Sequence, residues 1–220
     1  MTVSLLAVLG MGLTAFAASV ANAAIITVAV TDAAGNALPD VAIYAEPAAD
    51  ASVHKALHGA QIEQRQRKFM PLVTVVQTGS TISFPNNDTV RHHVYSFSPA
   101  KPFELKLYSG VPGQPILFDK PSTVVVGCNI HDQMVAYIQV VDTPYFGKTD
   151  AAGKLTLDGV PAGKYTLKAW HYQSLRGAPI PDQAITLVKD VDLKADFKLN
   201  LKSNLTSSIK PAHQAAAADY

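Results

Sequence analysis

The chain has 220 residues, a net charge of +1 and no dense basic run, which removes nucleic acid and acidic membrane surfaces as partner classes. Its single cysteine excludes an internal disulfide, so the thiol is inert and buried, intermolecular, or a metal ligand.

Residues 1–23, "MTVSLLAVLGMGLTAFAASVANA", carry no charged side chain and end in Ala21-Asn22-Ala23, the small-x-small pattern that signal peptidase cuts. They read as a signal peptide, which predicts a periplasmic or secreted protein. The competing reading is an uncleaved anchor, although the run is near the lower limit for spanning a bilayer. No later segment is long and apolar enough to span, so no stable membrane span is expected after cleavage. What remains can hold one large or two small domains.

Strand patterns follow. "AIITVAVTD" (Ala24 to Asp32) and "PDVAIYAEP" (Pro39 to Pro47), separated by a turn-forming "DAAGN", suggest a β-hairpin. Ala48 to Gln66 shifts to Ala, His, Gln and Lys, a loop or short helix in which His54 and His58 read as solvated. "MPLVTVVQTGSTISFPNNDTVRHHVYSFS" holds three strand-like runs broken at Thr78-Gly79-Ser80 and at Pro85 to Asp88. Further runs lie in "KPFELKLYSG", "QPILFDKPSTVVVGCNI" and "VAYIQVVDTPYF". Sustained 3.6-residue periodicity is missing throughout, so the chain reads as all-β, most simply an antiparallel sandwich. From Thr143 to Leu201 a second, smaller β unit follows. "TDAAG" occurs at Thr31 to Gly35 and again at Thr149 to Gly153, so the opening strands either pair with this unit or copy it. Residues 202–220 read as a disordered tail.

"GCNIHDQM" (Gly127 to Met134) packs the only cysteine, a histidine and a methionine into seven residues. Two His and one Cys in a plane with a weak axial Met suit type 1 copper, and this stretch supplies three of those four groups from one loop between strands. A second histidine must come from elsewhere, and "NNDTVRHHV" offers His92 and His93. Zinc is a weaker fit, because a structural zinc site wants four strong ligands. Nucleophilic catalysis by Cys128 with His131 leaves the methionine without a role, so no enzyme is expected.

"SFPNNDTVRHHV" followed by "CNIHDQM" resembles the copper-ligand segments of the plastocyanin and amicyanin class of cupredoxins, and the Cys-x2-His-x2-Met spacing is similar to that of amicyanin. "TDAAGKLTLDGVPAGKYTLKAWH" resembles the carboxypeptidase regulatory-like, transthyretin (prealbumin)-type β-sandwich, and the whole resembles exported proteins labelled methylamine utilisation proteins. The resemblance implies a cupredoxin-like Greek-key sandwich over 67–142, after a hairpin and loop over 24–66, and a regulatory-like β unit over 143–201. It implies one copper held by His92, Cys128, His131 and Met134, with His93 and Asn87 close behind the ligands. It implies an electron carrier serving a redox protein such as a cytochrome c or a dehydrogenase. Adjacent side chains on a strand point to opposite faces, so His92 and His93 cannot both enter one site without a bulge. Choosing His92 sends Tyr95 and Phe97 outward, where the second unit or the Ala48 to Gln66 segment would have to cover them. The runner-up is a cell-envelope module binding polysaccharide or protein, with copper structural or absent.

Overall fold

The computed structural model describes residues 23–48, 59–176 and 179–201. Residues 1–22 of the expected signal peptide, His54, His58 and the expected tail over 202–220 lie outside the described residues. Within them the protein is all-β, with strands numbered β1–β17 in chain order and one short 3-10 turn at Tyr172–Arg176.

The largest sheet has the order β6 (Val73–Gln77), β12 (Val135–Val141), β11 (Ser122–Cys128), β8 (His92–Ser96), β9 (Phe103–Tyr108). A three-stranded sheet of β10 (Ile116–Phe118), β7 (Ser80–Ser83) and β3 (Ala60–Gln61) shares its core. Alternation in β11 explains how the core is filled. Val124, Val126 and Cys128 fall on one face and are buried with Ile82, Phe84 and Phe118. Full burial of each valine contributes roughly 1.5–3 kcal/mol. β12 is buried on both faces. Ala136, Ile138 and Val140 join that core, whereas Tyr137 on the opposite face stacks on Tyr172 at 5.0 Å and 23°.

A second core lies between the sheet β14 (Lys154–Pro161), β1 (Ala23–Asp32), β17 (Leu193–Leu199) and the sheet β13 (Phe146–Lys148), β2 (Ala42–Pro47), β15 (Gly163–Trp170), β16 (Gln183–Leu187). The opening strands therefore do not form the expected hairpin. Their connection is too long for a tight turn, and β1 and β2 enter different sheets, β1 pairing antiparallel with β14 and parallel with β17. The second "TDAAG" copy lies against the strand that leads into the first, the Val30 N–H donating to the Gly153 carbonyl at 2.8 Å. Asp32 accepts the N–H groups of Ala34 and Asn36, Asp150 those of Ala152 and Lys154, so both turns are closed by the same aspartate geometry. Gly153 is required there, because its φ is +69° and a Cβ would come 2.4 Å from the Val30 carbonyl oxygen. Lys148 Nζ donates to the Val73 carbonyl at 2.6 Å and to Asp40 at 2.7 Å, tying β13 to the first strand of the large sheet.

From Ala60 onward the expected loop or helix is instead extended. β4 (Glu63–Arg65) and β5 (Lys68–Met70) form a small hairpin whose two turn residues, Gln66 and Arg67, both have positive φ, 54° and 55°. Tyr95 is half-buried and packs on Phe97 at 4.9 Å, while Phe97 remains 66% exposed.

Candidate metal centre

The loop between β11 and β12 explains the short motif spacing. Gly127 pairs with Val135, the Cys128 N–H donates to the Met134 carbonyl at 3.2 Å, and the Met134 N–H donates to the His131 carbonyl at 2.9 Å. Cys128 and Met134 thus face each other at the base of the loop and are buried in the same core, at 2% and 1% exposure. His131 sits on the loop between them and is partly exposed.

β8 brings the remaining imidazole. Its pairing with β11 sets Val94 opposite Cys128 and Tyr95 opposite Gly127. His92, Val94 and Ser96 are buried on one face; His93 and Tyr95 lie on the other. The register between β8 and β9 slips by one residue between His92 and Val94, with the extra residue on β9, so the alternation of β8 survives. His92 Nδ1 lies 3.7 Å from Cys128 Sγ and 3.1 Å from His131 Nδ1, and His131 Nδ1 lies 3.9 Å from Cys128 Sγ. His93 turns away and pairs with Glu104 at 2.7 Å. Asn87 is exposed and donates to Glu63 at 2.8 Å.

Two residues that the sequence reading passed over organise this end of the sheet. Asn86 is buried, and its side-chain amide donates to the carbonyls of Val90 and Tyr108 at 2.9 and 2.8 Å, binding the loop before β8 to the end of β9. Asp88 Oδ2 lies 2.7 Å from His92 Nε2, on the side of the ring away from the cysteine. Burial works to raise the Asp88 pKa, but the Arg67 N–H, His92 and the Gln66 N–H together hold it below the usual carboxylate value. The sequence signal was a carboxylate four residues before the histidine, hidden in what read as a turn. Burial, then the nearby His92 and Arg67, push the His131 pKa below its ordinary value against an opposing pull from Asp88, which favours the neutral ring that metal binding would require.

The donor set fits a first-row transition metal. Metal–nitrogen and metal–sulfur lengths of about 2.0 and 2.3 Å, spread about 120° apart, separate nitrogen from sulfur by roughly 3.7 Å and nitrogen from nitrogen by roughly 3.5 Å. The observed separations of 3.7, 3.9 and 3.1 Å are close to that triangle, and the three donor atoms all lie within 4.8 Å of one another.

No family model and no curated protein matches the chain. Among solved structures it is similar to a Cu-containing nitrite reductase from Thermus scotoductus SA-01 (23% identity over 44% of this chain and 26% of the reductase, TM-score 0.37). It is similar also to a purple cupredoxin from Nitrosopumilus maritimus (20% identity over 37% of this chain and 99% of that one, TM-score 0.34). A third is amicyanin from Paracoccus versutus (14% identity over 44% of this chain and 91% of that one, TM-score 0.32). The chain thus spans about a quarter of the reductase's length.

Proposed function

We propose that the protein is an exported, cupredoxin-like type 1 copper protein that carries single electrons, with His92, Cys128 and His131 in the ligand plane and Met134 as the weak axial group. The observation that supports this most is the convergence of two imidazole Nδ1 atoms and one thiol sulfur within 4.8 Å, beside a buried methionine on the same loop. Bound copper would supply a one-electron couple, Cu(II)/Cu(I).

The chain's own part is to hold those donors still. Cys128 ends a strand paired on both sides, His92 opens another, and backbone bonds close the loop carrying His131 and Met134. Donors already placed need little rearrangement between oxidation states, which favours fast electron transfer. His92, Cys128 and Met134 exclude water from one side, and His131, the most exposed of the four, offers the shortest way to a partner. That partner would be a redox protein such as a cytochrome c or a dehydrogenase, met in the periplasm or outside the cell. No described helix is long and apolar enough to cross a membrane.

The test is optical. Copper added to the purified protein should produce an intense visible band from the thiolate, and Cys128→Ser should abolish it while the far-ultraviolet circular dichroism of the β-sheets is retained. A band of equal strength in the variant would refute the type 1 assignment, since the chain has no second thiol. A colourless, copper-free wild type would instead favour a binding module.

A further inference from the structure

His92 presents Nδ1 to Cys128 and His131, so its other nitrogen is free to be held from behind. A neutral imidazole that offers the Nδ1 lone pair carries its hydrogen on Nε2 and must donate it. The acceptor 2.7 Å away is a carboxylate, Asp88 Oδ2, on a side chain only 12% exposed. Asp88 is itself built into place. Its N–H donates to Asn86 Oδ1 at 3.0 Å, Gln66 N–H donates to Oδ1, and Arg67 N–H donates to Oδ2 at 2.9 Å. Gln66 and Arg67 form the two-residue turn of the β4–β5 hairpin with both residues left-handed, a turn that ordinarily calls for Asn-Gly. Neither residue is suited to that conformation, and two charge-assisted bonds to one carboxylate offset its cost. The hairpin, the loop before β8 and the ring of His92 therefore meet on one pair of oxygens.

A neutral acceptor would orient the ring equally well. A formal negative charge does more, because it makes the imidazole a stronger donor and stabilises positive charge on the far side of the ring. Resting on the copper reading above, we propose that Asp88 is a positioning and potential-setting residue: its carboxylate holds Nε2–H of His92, fixes Nδ1 as the metal-facing nitrogen, and favours the oxidised over the reduced metal.

Asp88→Asn tests the charge, since it retains an acceptor oxygen. In the full chain, Cu(II) affinity should fall about 10- to 100-fold and Cu(I) affinity less, raising the reduction potential; each tenfold gap between the two losses corresponds to about 59 mV for one electron. Equal losses for both ions, with the potential unmoved, would overturn the proposal and leave Asp88 as a prop for the turn. A second measurement needs no variant. Nitrogen-15 NMR of the wild type loaded with Cu(I), or with Zn(II) if copper is not taken up, should show His92 protonated at Nε2 and slow to exchange. An unprotonated Nε2 would overturn the proposal even where Asp88→Asn fails to fold. Failure of the copper reading looks different: the wild type would lack the thiolate band, while the Nε2 proton would still report the Asp88–His92 contact.

Discussion

Two regions of the molecule each bury a histidine, and they treat it in opposite ways. At the loop end of the large sheet, His92 is fully buried between a carboxylate on one side and a thiol and a second imidazole on the other. Where the outer face of the same sheet meets the 3-10 turn, His171 is 3% exposed, lies 4.3 Å from the Tyr172 ring, and accepts one long bond, 3.3 Å, from the Gln173 N–H. Burial pushes the His171 pKa down to about 4, with Asp40 opposing only partly. A buried imidazole costs stability unless it is paired or neutral. The first region pairs it and gives it something to bind; the second leaves it neutral and packs it. Chemistry is marked less by burial than by what faces each ring nitrogen.

The comparison breaks most visibly at the adjacent histidines. His92→Ala should eliminate the copper-dependent visible band, whereas His93→Ala, which loses the pair with Glu104 and the ring contact with Tyr95, should retain the band with a slightly shifted wavelength and potential. Copper titrations followed by absorption would decide, and loss of the band in His93→Ala with retention in His92→Ala would reverse the two roles.

The junction can be weakened without touching a candidate ligand. Tyr137 stacks on Tyr172 and lies 6.4 Å from the Trp170 ring, so Tyr137→Ala should cost about 3 kcal/mol in urea unfolding while the visible band keeps its wavelength. A displaced band would mean that the outer face of β12 and the metal centre are coupled.

The smallest effect concerns acid. The folded pKa of His171, about 4, lies below its ordinary 6.5, so the unfolded chain binds the extra proton in that window. Stability from this residue is therefore present above the upper value and is lost as pH falls toward the lower one. In copper-free protein, His171→Phe should show a smaller drop in Tm than the wild type between about pH 7 and about pH 4.5. An equal drop would show that His171 is not a source of the acid sensitivity.

Much of the candidate centre was legible because its chemistry is local. Cys128, His131 and Met134 belong to one loop between strands, and a thiol, an imidazole and a thioether at that spacing form a meaningful donor set before any fold is known. The opposite facing of His92 and His93 was legible too, since a two-residue period sends neighbours to opposite sides wherever the strand pairs. Asp88 was not, because an aspartate in a Pro-Asn-Asn-Asp run has an ordinary reason to be there as a turn former, and its carboxylate matters only when the β4–β5 turn closes over it.

The same division runs through the fold. Alternation along Ala24, Ile26, Val28 and Val30 specified a half-buried strand, and the aspartate-glycine turns specified where strands end. Which strand each would join was decided only in three dimensions. The sequence alone therefore determined the all-β class, the strand faces and the cysteine loop, because these depend on period and on near neighbours. Tertiary structure decided that β1 joins β14 and β17 rather than β2, that Asn87 faces Glu63 and not the centre, and that Asp88 stands behind His92. The first two rest on contacts between segments far apart along the chain, and the third, although its partners are four residues apart, on the distant β4–β5 turn that holds the carboxylate; an apolar strand face or a carboxylate carries no local mark of the distant partner that satisfies it.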